Sequence, residues 1–275
     1  VTNRIRPVRA VVATAAAAVF GLPLYLCLVN VFKRNEQITA APAALPAPIT
    51  LGNLGRVLTR PDHLFWDSLL HSVLIVVPVL VCTIVLGSML GYYLGREQGT
   101  AVRLLQGLLL IGLMLPFQVL LLPLSVLLRS VELQGSYLGL VLFNIGYYVP
   151  FAGFVYGRFM KTVPRELDEA AEVDGAGRLR TFAQIIVPLL RPVTASAAIF
   201  IGVWVWNDFL NPLVILGPAG GTTVTTGIYN AIGQYNTDFG SMFALMLLAA
   251  LPVLAFFLAL QDRFVSGLTA GATKG

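Results

Sequence analysis

The residues able to do chemistry in this sequence are few, and their spacing argues against most of the chemistry they could do. The three lysines, Lys33, Lys161 and Lys274, all miss the glycine spacing of a loop that cradles phosphate. Asp174-Gly-Ala-Gly177 lacks the third glycine and the preceding strand of a dinucleotide site. No Gly-x-Ser-x-Gly elbow, paired-histidine helix or Cys/His cluster occurs. His63 and His71 are not at a helical ligating spacing and receive no role, while Cys27 and Cys82 fall inside apolar blocks, which disfavours a disulfide framework. No catalysis, metal or bound cofactor is therefore expected of this chain. Two polar groups remain. One is the charged run from Arg165 to Asp174. The other is Asp208, an acid clearly inside an apolar stretch, with Asn207 and Asn211 beside it and Trp204 and Trp206 just before it. A charge so placed is costly and faces either a bundle interior or a water-filled path. A polar neighbour of an outer aromatic belt is the competing reading. Asn144 and Gln118 are weaker candidates for the same path.

The elements that must position these groups are set by composition. Hydrophobic residues make up 57% of the 275 and charged residues only 11%, and the apolar residues come in long blocks, so lipid is the expected solvent. The formal net charge of +5 does not point to nucleic acid, because no run of Lys and Arg exists. Six blocks reach the roughly 20 residues that a bilayer core requires: 10–32, 68–94, 104–128, 137–159, 193–216 and 242–260. The first extends beyond the core of a cleavable signal peptide and reads as an anchor. Several carry an internal proline, which a bundle tolerates when neighbours satisfy the freed carbonyls, so kinked helices around a central path are expected. Thirteen of the eighteen Lys and Arg fall on one set of alternate connections, which puts both termini and the 160–191 loop in the cytoplasm. The outer 38–50 segment, with Pro42, Pro46 and Pro48, reads as an extended strap. The outer 217–241 segment, rich in Gly and Thr, reads as a mobile or partner-contacting loop.

In the inner loop 161–191, Pro164 followed by Glu166, Asp168 and Glu169 suits the start of a short helix, with negative charge at the positive end of its dipole. Leu167, Ala170, Ala171 and Asp174 share one face, and the two alanines permit close approach. Asp168 and Glu172 repel across one turn. Gly175 can take a positive φ and turn the chain into a second helix, which Pro188 is expected to stop.

Glu169-Ala-Ala, Gly175, Ile185 and Pro188 closely resemble the "EAA" signature of permease subunits in ATP-binding-cassette importers, and they lie between the fourth and fifth blocks, where that family carries it. Gly91-Tyr-Tyr-Leu-Gly-Arg96, Trp206-Asn-Asp-Phe-Leu-Asn-Pro-Leu213 and Gly267-Leu-Thr-Ala-Gly-Ala-Thr-Lys-Gly275 extend the likeness over most of the chain. They point to the carbohydrate branch that includes maltose-type and glycerol-phosphate-type permeases, and to its second, "G-type" permease. Tyr93-Leu-Gly stands where the family often has Ala-Leu-Ala.

The resemblance implies an all-α membrane protein. Residues 1–275 would form a single permease domain of six transmembrane helices, with a cytoplasmic coupling helix between helices four and five. Glu169, Ala170, Ala171, Asp174 and Gly175 would couple to the ATPase, Glu169 either pairing with a basic group there or bracing the turn. Gly267, Leu268, Thr269 and Gly271 would form a tail that contacts the ATPase or a plain terminus. Asp208, Asn207, Asn211, Trp206 and Asn144 are the path candidates, since stacking aromatics with Asn and Asp are what hold sugars. The implied partners are a second permease in a heterodimer, a dimer of the ATPase that hydrolyses ATP with Mg, an extracytoplasmic substrate-binding protein, a sugar and the lipid bilayer. The implied location is the cytoplasmic (inner) membrane of a bacterium or archaeon. Glycerol phosphate, a polyol or another solute is the alternative cargo, and a membrane enzyme or assembly factor the distant one.

Overall fold

A computed structural model describes residues 2–217, 220–234 and 238–272. All regular structure in them is helical: α1 (Thr2–Val31), α2 (Asn35–Ala40), α3 (Gly52–Leu58), α4 (Leu64–Arg96), α5 (Thr100–Met114), α6 (Phe117–Ser130), α7 (Tyr137–Met160), α8 (Glu166–Val173), α9 (Arg178–Thr181), a π-helical turn (Phe182–Ile186), α10 (Val187–Leu189), α11 (Arg191–Asn207), α12 (Leu210–Ile215), α13 (Val224–Gln234) and α14 (Phe239–Ala272). Four helices are long and apolar enough to cross a membrane: Ala10–Val31, Leu64–Arg96, Tyr137–Met160 and Phe239–Ala259. The number rises to six if each of two bent helix pairs counts as one span. Large apolar side chains such as Phe20, Met114 and Leu122 are more than three-quarters exposed, as lipid-facing residues are.

The expected third block, 104–128, is not one straight helix. α5 and α6 meet at 99° across Leu115 and Pro116, where the proline lacks a donor and biases the residue before it away from helix. The fifth block breaks at Asp208 and Phe209, between α11 and α12. Pro188 does not stop the second helix of the inner loop. The chain passes through it within α10 and bends by 76° only on entering α11. The wide π turn ahead of Pro188, with Val187 N–H bonded to Phe182 O, accommodates the missing donor. The expected loop at 217–241 contains the 11-residue helix α13, and the strap at 38–50 begins with the last residues of α2.

The chain divides into two compact units, Val1–Ser68 with Thr226–Pro252, and Leu69–Thr225 with Val253–Gly275. In the first unit the strap is tied by buried polar groups. Lys33, fully buried, donates from Nζ to the carbonyls of Ala41 (2.9 Å) and Pro42 (3.1 Å). Asn53 Nδ2 donates to Val31 O (2.6 Å) and Lys33 O (2.8 Å). Arg56 grips Asp238 with Nε to Oδ2 at 3.1 Å and Nη2 to Oδ1 at 3.2 Å. Burial alone would raise the Asp238 carboxyl, but hydrogen bonds from Ser241 and the Arg56 guanidinium outweigh it and hold it below the usual carboxylate range.

The second unit is organised by a glycine ladder on α4. A Cβ at Gly87 would lie 2.3 Å from the Ala152 Cβ, one at Gly91 would lie 2.2 Å from the Tyr156 Cβ, and one at Gly95 would lie 2.4 Å from the Met160 Cβ. Repetition every fourth residue puts all three glycines on one face, so α4 and α7 approach backbone to backbone. Tyr156, fully buried in this contact, donates its hydroxyl to Thr194 Oγ1 of α11 at 2.9 Å. α7 is therefore fixed on two sides, and both polar groups singled out in the sequence are carried on it or beside it.

Candidate functional site

The acidic helix α8 is short, and its position depends on neighbours rather than on its own propensity. Glu166, Asp168 and Glu169 occupy its first turn. At its other end Gly175 takes φ +75°, Gly175 N–H bonds Glu172 O and Ala176 N–H bonds Ala171 O, each at 2.9 Å. That paired closure satisfies two of the last carbonyls and turns the chain sharply, as Gly175 was expected to do. Ala171 is buried, whereas Glu169, Ala170, Asp174 and Gly175 are exposed, and Val173 and Leu179 beyond them are 88% and 75% exposed.

Arg96, at the end of α4, fixes α8 to the end of α7. Its Nη2 lies 2.7 Å from Asp168 Oδ2, with both side chains mostly enclosed. Its Nη1 donates to Val163 O (2.8 Å) and Met160 O (3.3 Å), and Nη2 donates to Pro164 O (3.2 Å). Tyr92, one turn earlier, donates its hydroxyl to Asp168 Oδ1 at 2.6 Å. Arg165 Nη2 in turn donates to Arg96 O at 2.9 Å. The repulsion expected between Asp168 and Glu172 is thus relieved by a guanidinium and a phenol from another helix. Sequence reasoning missed Tyr92 and Arg96 in this part. Their only signal was the Gly91–Arg96 likeness, which says nothing of the Asp168 contact. Glu169 and Glu172 line the resulting groove of about 530 Å³ with Arg165 and Arg178.

The second polar group lines an open cleft of about 770 Å³. Two helix interruptions and the continuous, proline-containing helix α7 meet there. Leu113 and Phe117 flank the α5–α6 bend, Tyr147, Tyr148 and Phe151 surround Pro150 of α7, and Asn207, Asp208, Phe209, Leu210 and Asn211 form the α11–α12 break. Asp208 accepts from Asn211 Nδ2 (2.6 Å) and Asn211 N–H (3.3 Å), so its carboxylate sits at the start of α12. Its own carbonyl accepts from Thr225 Oγ1 (2.6 Å). Asn207 Nδ2 bonds Val203 O within its helix at 2.8 Å. The tryptophan in the cleft is Trp204, stacked on Tyr148 with centroids 5.9 Å apart and planes 19° apart, and touched edge-on by Phe151 at 5.1 Å.

The structure thus brings Asp208, Asn207 and Asn211 together on one wall. Trp206 is buried and does not line that cleft. Asn144 is also buried, with Nδ2 bonded to Leu140 O at 2.9 Å one turn back. Gln118 is exposed and does not line the cleft. Gly267, Leu268, Thr269 and Gly271 fall on the last turns of α14, where the backbone is helical and the side chains lie outside the described residues. His71 Nδ1 lies 3.1 Å from Thr222 O and its ring packs on Tyr137. Among the described residues no group of three His, Cys, Asp or Glu could hold a metal ion.

Comparison with known proteins gives these features a context. A multiple sugar-binding transport system permease protein of Streptococcus mutans is 33% identical over 267 residues, covering 96% of this chain and 95% of that protein. A glucose import system permease protein of Saccharolobus solfataricus is 31% identical over 264 residues, covering 92% and 91%. The crystal structure of a bacterial ABC transporter involved in the import of the acidic polysaccharide alginate superposes with a TM-score of 0.82 over 96% of this chain and 98% of that one. At 18% identity this likeness speaks to the fold. The family model for the inner membrane component of binding-protein-dependent transport systems matches residues 84–269, the stretch that holds the glycine ladder, α8 and the cleft. The chain is therefore a multi-pass membrane protein belonging to the family of binding-protein-dependent transport system inner membrane components.

Proposed function

We propose that this chain is a permease subunit of an ATP-driven sugar importer, one transmembrane domain of six spans that moves its cargo across the cytoplasmic membrane by alternating access. It works as a heterodimer with a second permease, as the "G-type" member of a maltose- or glycerol-phosphate-type pair, with two ATPase subunits that hydrolyse ATP with Mg and an external binding protein. Both termini and α8 face the cytoplasm, which the excess of Lys and Arg on that side favours. The names of the two curated relatives, one for multiple sugars and one for glucose, support a carbohydrate cargo.

One observation carries the mechanism: α8 is clamped to the ends of α4 and α7 through Asp168, while Glu169, Ala170, Asp174 and Gly175 remain exposed. A helix rigidly joined to two spans and open on its other side suits the transmission of a partner's closure to those spans. In this reading those four residues, with Ala171 beneath them, form the ATPase-coupling surface, and the Gly267–Gly271 tail is a second ATPase contact. The wall of Asp208, Asn207 and Asn211 belongs to the translocation path.

Cysteine at Ala170 tests the coupling surface. It should crosslink to the ATPase subunit in the assembled complex, and Glu169→Lys combined with Gly175→Leu should abolish uptake. Normal uptake by that double variant would reject the coupling role. A thermal-shift screen of the cognate binding protein against sugars identifies the cargo, and a binding protein stabilised only by a non-sugar would reject the carbohydrate assignment.

A further inference from the structure

The cleft around Asp208 has a chemistry more specific than a polar path. Its floor is aromatic and preorganised: the Trp204 indole, 44% exposed, is held from behind by stacking on Tyr148 and from the side by Phe151. A flat apolar face of that kind suits the C–H face of a sugar ring, which leaves the ring hydroxyls free at its edge. The rim beside Trp204 supplies acceptors for those hydroxyls. Asp208 contributes its carboxylate, and Asn207 has an exposed amide whose Nδ2 is already committed to its own helix. Asn211, 3% exposed, gives its Nδ2 to Asp208, and its Oδ1 is enclosed without a hydrogen-bond partner among the described residues. Such a group is an acceptor in want of a donor.

The charge of the wall is one-sided. Among the described residues no Lys, Arg or His lines the cleft, and its one carboxylate is that of Asp208. A sugar carboxylate or phosphate entering here would lose its hydration, find no cation and face Asp208, whereas a neutral ring would lose little. The two helix interruptions, at α5–α6 and α11–α12, add a further reason for a ligand. Irregular backbone within a membrane is tolerated where it lines a cavity, and substrate sites of transporters form at discontinuous helices.

Building on the transport reading above, we propose that this cleft is a subsite of this chain for a neutral sugar ring stacked on Trp204, with its hydroxyls donated to Asp208 and Asn211. The same wall excludes uronic acids and sugar phosphates. This assigns Trp204 and Tyr148, rather than Trp206, to the ligand, and places a cargo contact on this subunit and not solely on its partner.

The test uses the complete transporter in lipid nanodiscs. Amide hydrogen exchange in peptides covering residues 203–211 should slow by about threefold or more with saturating glucose or trehalose, and should be unchanged by glucuronate or glucose 6-phosphate. In proteoliposomes Trp204→Ala should lower uptake of the transported sugar by about tenfold, and Trp204→Phe should restore most of it. If Trp204→Ala fails to co-purify with its partners, Trp204→Leu, which keeps bulk without a ring, takes its place. Equal protection by the charged and neutral sugars overturns the subsite, as does wild-type uptake by Trp204→Ala. A wild-type complex that moves a sugar while residues 203–211 stay unprotected also overturns the subsite and leaves the transport reading intact. A complex that moves no sugar at all refutes the transport reading itself.

Discussion

The clamp at Arg96 and the cleft at Trp204 both rest on α7, yet they are made from opposite kinds of contact. At the clamp one guanidinium donates to three backbone carbonyls and forms an ion pair with a carboxylate at 2.7 Å. In the cleft, aromatic rings meet over broad faces and one side remains open. Directional bonds hold a helix in one orientation, because a small rotation breaks several at once. Stacked rings tolerate sliding. The difference fits the proposed division of labour, in which one region conveys a movement and the other lets a ligand pass.

The largest effect should come from breaking the frame that both regions share. Gly91→Leu would place a Cβ 2.2 Å from that of Tyr156 and 2.8 Å from Gly157 N. Backbone cannot yield as a flexible side chain can, so we expect a cost of about 3 kcal/mol or more and a fall in melting temperature of roughly 6–12 °C, read by thermal unfolding in detergent. Gly107→Leu, at a glycine with nothing within 4 Å, is the matched control and should be silent.

Next in size is Arg96→Ala, which leaves the Asp168 carboxylate without its cation and three carbonyls without their donor. We expect about 2–3 kcal/mol of local destabilisation, seen as faster hydrogen exchange across residues 166–173 and loss of uptake, with exchange at residues 147–151 unaltered. Arg96→Lys should rescue little, because a point charge cannot replace a fork. If it rescues fully, the clamp is no more directional than the cleft, and the contrast fails. Tyr156→Phe removes one hydrogen bond from the frame and should cost about 1 kcal/mol, or roughly 2–4 °C in melting temperature.

The smallest expected effect lies at the more exposed ion pair of Arg56 and Asp238. The folded-state pKa of Asp238 is depressed, so its contribution is present above the unfolded value of about 3.9 and is lost as pH falls through the folded one. Asp238→Asn should therefore lower the melting temperature by no more than about 2 °C at neutral pH, and the difference should start to shrink below about pH 4 and be gone once the pH lies below the depressed folded value. A persistent difference in acid would mean that the loss is steric rather than ionic.

Much of this architecture can be read in the chain itself, because the signals are local. Acids in the first turn of α8 and a glycine just past its end mark that helix, and Gly175 indeed takes a positive φ. Apolar block length locates the long helices. What could not be read depends on partners distant in sequence. Arg96 and Asp168 are separated by 71 intervening residues, and no spacing rule joins them. Pro116 and Pro188 look alike as helix breakers, yet one sits at a 99° bend while a π turn absorbs the other. Trp204 and Trp206 are two positions apart, about 200° around a helix, so they cannot both line the same cleft. Periodicity excludes the pair but does not choose between its members. The Gly87, Gly91 and Gly95 repeat was visible as a pattern, and its meaning depended on the small surface that α7 presents to it.

That ladder has a mechanical consequence. Between most helices lies a layer of side chains that can change rotamer and absorb a shift of a few tenths of an ångström. Along the Gly87–Gly95 stretch the cushion is largely missing, for the α4 backbone lies directly against Ala152, Tyr156 and Met160. The two helices form a strut with almost no slack. A displacement applied through Arg96 at one end would reach the Pro150 region and the cleft wall nearly undiminished, so a small movement of α8 could reshape a site several turns away.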